Sequence, residues 1–237
     1  MQAAMPVAAV ILGGVIAAFR PPGAKLRSAV QHFAAGLVFA AVAAELLPSI
    51  MNPSDVFSGA PVAVVIGFLI GIGLMLGIRK LTEGGEPKSV GAAKQPTSLL
   101  FTLGVDVVVD GLLIGIGSTT GGKQGFLLTV ALTAEAMFLG LSGAVALSKA
   151  GASRAKIFGM SALLGGLLLI GSVLGITLLG GLSGFAKEAV LSFGAAALLF
   201  LVTEELLVEA HEEPETPTLT AMFFVGFVAL LVVEMLA

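Results

Sequence analysis

The stretch SLLFTLGVDVVVDGLLIGIGS, residues 98–118, decides the fold. Apart from Asp106, Asp110 and three hydroxyl side chains it is apolar, and a membrane-spanning helix needs about 20 such residues. Similar runs fill the rest of the chain. The eight predicted spans are roughly 3–19, 29–50, 57–78, 98–118, 125–148, 157–180, 185–208 and 217–237.

The composition excludes a soluble fold. Of the 237 residues, 57% are hydrophobic and only 11% are charged, whereas a soluble domain carries about 25% charged residues. So few charges could not cover a surface in contact with water. We therefore expect an all-α polytopic protein of the cell membrane, with residues 1–237 forming a single transmembrane domain in the lipid bilayer.

Basic residues predict the orientation. Ten of the 12 Lys and Arg residues fall in the first, third and fifth loops between the predicted spans. Because cytoplasmic loops are enriched in Lys and Arg, the odd-numbered loops should be cytoplasmic and both termini should face outward. The longest of these loops, residues 81–96, is rich in Gly, Glu, Lys and Pro and is predicted to be a flexible cytoplasmic segment.

Two spans share a sequence pattern. Residues 32–47, HFAAGLVFAAVAAELL, and 192–207, SFGAAALLFLVTEELL, are identical at six of 16 positions, with a constant offset of 160. Chance similarity within a small apolar alphabet is an equal alternative. A true repeat would relate spans two and seven, which cross in opposite senses, and would predict an inverted repeat in a 3+2+3 arrangement of eight helices.

Three acids lie in the middle of predicted spans. Asp106 and Asp110 are four residues apart, on one face of span four, and Glu135 lies in span five. At about 1.5 Å per residue, all three fall roughly 12–18 Å from the outer ends of their helices. Neither span contains Lys or Arg. Intramembrane acids are costly and need a functional or pairing reason. A bound or transiting cation is one reason; protonation with hydrogen bonding between helices is the alternative.

The residues after the acids favour two closely packed helices. Residues 110–115, DGLLIG, and 135–140, EAMFLG, both read acid, small, three apolar residues, Gly. Small residues allow helices to approach closely, so that carboxylates from both could reach one ion. Oxygen ligands favour hard or borderline divalent cations. Glycines at 73, 77, 165, 166, 171 and 175 are predicted to be further packing positions.

These motifs resemble the ZIP family of divalent metal transporters. Its fourth span reads roughly His-x-x-x-Asp/Glu-Gly and its fifth roughly His-Glu-x-Pro-Glu-Gly, each followed by Gly; residues 110–115 and 135–140 are similar to the second half of each motif. Residues 33–48 resemble the second span of the family and residues 194–207 its seventh. The resemblance implies a secondary transporter, not an enzyme, that moves divalent cations toward the cytoplasm.

The chain also departs from the family pattern. Asp106 stands at the span-four His position and Ala131 at the span-five His position. The resemblance therefore implies one metal position made by Asp106, Asp110 and Glu135. The loss of imidazole favours manganese, iron(II) or magnesium, or zinc with reduced affinity. No cofactor is predicted besides the transported metal ion.

Five further residues are predicted to line the pathway. Glu45 lies near the outer end of span two, where it could help to collect cations, and Glu204 and Glu205 lie near the inner end of span seven. Glu209 and His211 follow in an acidic cytoplasmic segment whose simpler interpretation is a solvated loop.

The sequence bears differently on the other functions. A divergent ZIP-like protein could bind metal as a sensor or transport a different solute. An intramembrane enzyme lacks a nucleophile or a zinc-binding His pair. No basic aromatic patch indicates nucleic acid binding, and a homodimer is one assembly that the sequence allows.

Overall fold

In the computed structural model, the described residues are 2–51, 59–83, 96–120, 122–179 and 181–236, and no β-strand occurs among them. They form eight helices. In chain order these are α1 (Ala4–Phe19), α2 (Ala24–Met51), α3 (Ala60–Glu83), α4 (Pro96–Thr120), α5 (Gly122–Lys149), α6 (Arg154–Leu174, extended by a π-helical turn Gly175–Leu179), α7 (Gly184–Ala210) and α8 (Pro217–Leu236).

Seven of these helices, α2 to α8, are long and apolar enough to cross a membrane. The predicted all-α, multi-pass architecture is therefore confirmed. Helix α1 is apolar but has only 16 residues, about 24 Å at 1.5 Å per residue, which is less than a hydrocarbon core of about 30 Å. Most of the predicted flexible loop 81–96 lies outside the described residues.

The helices pack in two groups. Helices α1, α4, α5 and α6 form one group, in which α5 and α6 each contact the other three helices; the most extensive pairs are α1–α5 and α4–α6. Helices α2, α3, α7 and α8 form the second group through the pairs α2–α8 and α3–α7 and through contacts between α2 and α7. Across the boundary, α2 packs against α5. The acids predicted to bind metal thus lie in the first group, and the predicted pathway residues lie in the second.

Glycines bring the backbones of paired helices into contact. A Cβ atom on Gly13 of α1 would lie 2.1 Å from the Met137 carbonyl oxygen of α5, and one on Gly140 would lie 2.0 Å from the Val10 carbonyl oxygen. Only residues without a side chain allow this approach. The motif glycine at the end of residues 135–140 is therefore a packing residue.

The α4–α6 pair is built in the same way. A Cβ atom on Gly115 would lie 2.4 Å from the Ser172 carbonyl oxygen, and one on Gly175 would lie 2.4 Å from the Leu112 carbonyl oxygen. The motif glycines Gly115 and Gly140 thus make equivalent contacts. The predicted packing role is confirmed for Gly165, Gly171 and Gly175 but is wrong for Gly73, Gly77 and Gly166, where a Cβ atom would meet no atom of the described residues within 4 Å.

Helices α2 and α7 correspond residue by residue. Each begins with an 18-residue α-helical part, Ala24–Ala41 in α2 and Gly184–Leu201 in α7. Each then has a five-residue π-helical turn, Val42–Leu46 and Val202–Leu206. All these bounds differ by 160, the offset of the sequence match.

Three contacts bring together, at one end of the protein, the helix ends that border the first, third, fifth and seventh connections. Two are ion pairs and the third is a guanidinium group stacked on an aromatic ring. They are Arg27 with Glu212 at 3.8 Å, Arg79 with Glu204, and Arg154 over the Phe19 ring at 4.9 Å. We call this end the basic end, because most Lys and Arg residues of the chain belong to it.

Candidate metal site

The three acids predicted to bind metal lie in the interior of the protein. Asp106 and Asp110 are each 1% exposed and Glu135 is 0% exposed. Both aspartates lie near the middle of α4, and Glu135 lies near the middle of α5. These two helices pack against each other, so the acids face a protein interior rather than lipid.

Most of the carboxylate oxygens at this position have no hydrogen-bond partner among the described residues. Both oxygens of Asp106, both of Glu135 and Oδ2 of Asp110 are buried and receive no hydrogen bond from a donor among the described residues. The Asp106 carboxyl lies within hydrogen-bond reach of the Glu205 carboxyl. Buried polar groups are normally satisfied, and an unpaired buried charge costs several kcal/mol. Five unpaired acceptor oxygens on two adjacent helices are chemically suited to a hard cation or to protons.

A fourth acid belongs to this neighbourhood. Asp106, Asp110 and Glu135 lie within electrostatic range of one another, and Glu205 of α7 lies within range of all three. Glu205 is half-buried and occupies the π-helical turn of α7. The sequence predicted only a pathway role for Glu205, whereas the fold brings it to the acids of α4 and α5.

The acids are near one another but are not closed around a common centre. In the part of the chain that the structure describes, no group of three or more His, Asp or Glu side chains is arranged as a metal-holding set. Like charges repel strongly in a medium of low dielectric constant. Closer approach of these carboxylates would therefore depend on a cation or on protons.

The two other predicted glutamates have different surroundings. Glu204, next to Glu205, is exposed and forms an ion pair with Arg79. Glu45 is only 4% exposed, and it lies against the backbone of Leu128 in α5, with its Oε1 atom unpaired. Glu45 is therefore an interior acid of the α2–α5 boundary.

A polar cluster lies at the basic end of α2 and α7. Gln31 Nε2 donates to Glu209 Oε2 at 2.7 Å, and the His32 ring meets the His211 ring edge to face, with centroids 5.3 Å apart. His32 is 2% exposed, and its Nε2 atom has no partner among the described residues. Glu209 is also within electrostatic range of Asp106, so the cluster adjoins the acidic site on the side of the basic end.

Two members of this cluster escaped the sequence interpretation. Ser28 Oγ donates to the Ala210 carbonyl oxygen at 2.8 Å, and Gln31 donates to the Glu209 carboxylate. Ser28 lies four residues before His32 and therefore on the same helix face. This spacing is the sequence signal that could have identified Ser28 as a member of the cluster. His211 pairs with Glu215 at 2.8 Å and is partly exposed, as expected for a residue at the end of a helix.

The fold and the site define a multi-pass membrane protein with a carboxylate-rich interior. Residues 86–234 match the family described as ZIP Zinc transporter. A search of curated proteins finds no match. Since the match covers more than half of the chain, the chain belongs to the ZIP zinc transporter family, as its motifs predicted. It is a metal transporter and not an enzyme, and its family moves divalent metals such as zinc.

Proposed function

We propose that this protein is a secondary transporter that moves divalent metal cations across the cell membrane toward the cytoplasm. Asp106, Asp110 and Glu135 would exchange the water shell of the cation for carboxylate oxygens in the middle of the membrane. The observation that carries the proposal is the set of unpaired, fully buried carboxylate oxygens on the two packed helices α4 and α5.

The ligand chemistry supports a hard or borderline cation. The proposed site offers only oxygen atoms, and the family His positions hold Asp106 and Ala131. Carboxylates suit manganese, magnesium and iron(II), whereas imidazole and thiolate favour zinc. The cargo is therefore manganese, iron(II) or magnesium in preference to zinc, which binds with reduced affinity.

The symmetry of the packing supports alternating access by an inverted repeat. The α1–α5 pair corresponds to α6–α4, and α2–α8 corresponds to α7–α3, as expected if α1–α3 and α6–α8 are inverted copies around a central pair. Helix α1 then counts as an eighth span. One helix group, α1 with α4 to α6, moves against the group of α2, α3, α7 and α8.

The positions of basic residues support the proposed orientation. The basic end carries three Arg contacts, and cytoplasmic loops are enriched in Lys and Arg. The basic end therefore faces the cytoplasm, and both termini face outward. Glu45 lies on the outer side of the site, and Glu205, Glu209 and His211 lie on its inner side.

A metal competition series tests the function. Purified protein in lipid vesicles is given a fixed trace of radioactive manganese, and uptake is measured against rising zinc, iron(II), magnesium or calcium. We expect saturable manganese uptake, with iron(II) and magnesium competing better than calcium. A metal sensor would bind manganese without saturable uptake, and a carrier of another solute would not bind it. Either result would contradict the proposal.

A further inference from the structure

Glu45 and Glu205 occupy equivalent places in the fold. Each is the fourth residue of a π-helical turn, Val42–Leu46 in α2 and Val202–Leu206 in α7, and their numbers differ by the same 160 as the helix bounds. A π-helical turn widens the helix by one residue and often occurs at functional sites. Two matched turns that each carry an acid are therefore more than a packing irregularity.

The two glutamates flank the carboxylate site on opposite sides. Glu205 lies five residues before the end of α7 at the basic end, and Glu45 lies six residues before the end of α2 at the other end. The distances to these ends are about 8 and 9 Å at 1.5 Å per residue. Both acids lie in the group of α2, α3, α7 and α8, whereas the site lies in the other group.

The two acids have different neighbours in the described conformation. Glu205 is within electrostatic range of Asp106, Asp110 and Glu135. Glu45 instead packs against Leu128, seven residues before Glu135 on α5, and its buried Oε1 atom has no partner among the described residues. A buried unpaired carboxylate oxygen is costly unless a cation, a proton or a hydrogen-bond donor reaches it in some state of the protein.

We propose that Glu45 and Glu205 are matched docking ligands, which complete the cation site at the outer and the inner end of its movement. In the described conformation the site is docked at Glu205, on the inner side. In the opposite conformation the group of α1 with α4 to α6 moves outward, and Glu45 replaces Glu205 beside the cation. This inference rests on the proposed transport function, because it assigns new ligands to the same site.

The absence of cysteine allows a direct measurement of this movement. Lys25→Cys on α2 and Ala150→Cys after α5 are exposed positions at the basic end, one on each helix group. Spin labels at these two cysteines report the distance between the groups by pulsed electron paramagnetic resonance in lipid vesicles. The distance distribution is recorded with saturating magnesium, a diamagnetic member of the proposed cargo, for the otherwise unchanged protein, Glu45→Gln, Glu205→Gln and Glu212→Gln.

We expect opposite shifts from the two docking variants. Glu205→Gln should change the ratio of inner to outer populations by about tenfold toward the outer state, since ligand charge count sets cation affinity, and Glu45→Gln should shift it toward the inner state. Glu212→Gln, an exposed matched acid, should leave the ratio unchanged. Shifts of the same sign, or no shift in either variant, would overturn the proposal.

Equilibrium manganese binding by the same preparations separates this inference from the proposed function. If Asp110→Asn abolishes binding while Glu45→Gln and Glu205→Gln leave the distances unchanged, only the docking role fails. If Asp110→Asn binds manganese as tightly as the unchanged protein, the proposed function itself fails. Because binding of manganese to Glu45→Gln and Glu205→Gln also shows that these two variants are folded, a loss of structure is not mistaken for a loss of docking.

Discussion

Gly140 of α5 lies directly against the backbone of Val10 in α1, so that a Cβ atom at Gly140 would be 2.0 Å from the Val10 carbonyl oxygen. Backbone cannot move aside as the end of a flexible side chain can. The contact fixes the position of α5, which carries Glu135 five residues earlier, relative to α1. Helix packing and the placement of a proposed ligand are therefore set by the same glycine.

Replacing this glycine should destabilise the protein. We expect Gly140→Ala to lower the free energy of unfolding by about 1–3 kcal/mol, as overpacking of a tight contact does. The matched control is Gly166→Ala, because a Cβ atom there meets nothing within 4 Å; Ala instead of Gly in a helix should be neutral or stabilise by up to about 1 kcal/mol. Thermal unfolding in detergent measures both, and equal midpoints would contradict the packing account.

The hydrogen bond between Gln31 and Glu209 should contribute to the attachment of α2 to α7. Gln31→Leu removes a buried donor that lies 2.7 Å from Glu209 Oε2, and we expect a loss of about 1–3 kcal/mol of stability. Glu212→Gln serves as the comparison, since its ion pair with Arg27 spans 3.8 Å and Glu212 is 69% exposed, a geometry that contributes less than about 1 kcal/mol. Thermal unfolding of both variants measures the two losses of stability. A larger loss of stability for Glu212→Gln than for Gln31→Leu would refute the expectation.

Asp106→His tests the assignment of the metal preference. Imidazole suits zinc better than manganese or magnesium, so we expect the variant to raise the ratio of zinc to manganese affinity by about tenfold or more. Asp106→Asn removes the charge without adding imidazole and should weaken both metals. Isothermal titration of purified protein with each metal measures the ratio. A ratio that is the same in both variants would show that residue 106 does not contact the cation.

Much of the fold could be predicted because the governing signal is local. Apolar runs of about 20 residues define the spans of α2 to α8 in any tertiary arrangement, and the two motif patterns identified which helix surfaces carry acids and packing glycines. The first run, Ala4–Phe19, shows the limit of this signal. Its composition is that of a span, but its helix is shorter than the others.

The details of the site depend on contacts between distant helices and could not be predicted. Nothing in the composition of Val42–Leu46 distinguishes a π-helical turn from an α-helix, and therefore the burial of Glu45 against α5 was not foreseen. Glu205 approaches the site acids only because α7 packs beside α4. Likewise, Gly77 resembles Gly175 in sequence, and only the neighbouring helix distinguishes an open surface from a backbone contact.

The most direct test of the central claim is manganese uptake into lipid vesicles by Asp110→Asn and Glu135→Gln, with Glu212→Gln as the control. Each of the first two changes removes one negative charge from the buried carboxylate site with little change in volume. We expect at least about a tenfold loss of initial uptake rate in each, with Glu212→Gln unaffected. Uptake at the unchanged rate in both Asp110→Asn and Glu135→Gln would contradict a mid-membrane carboxylate site.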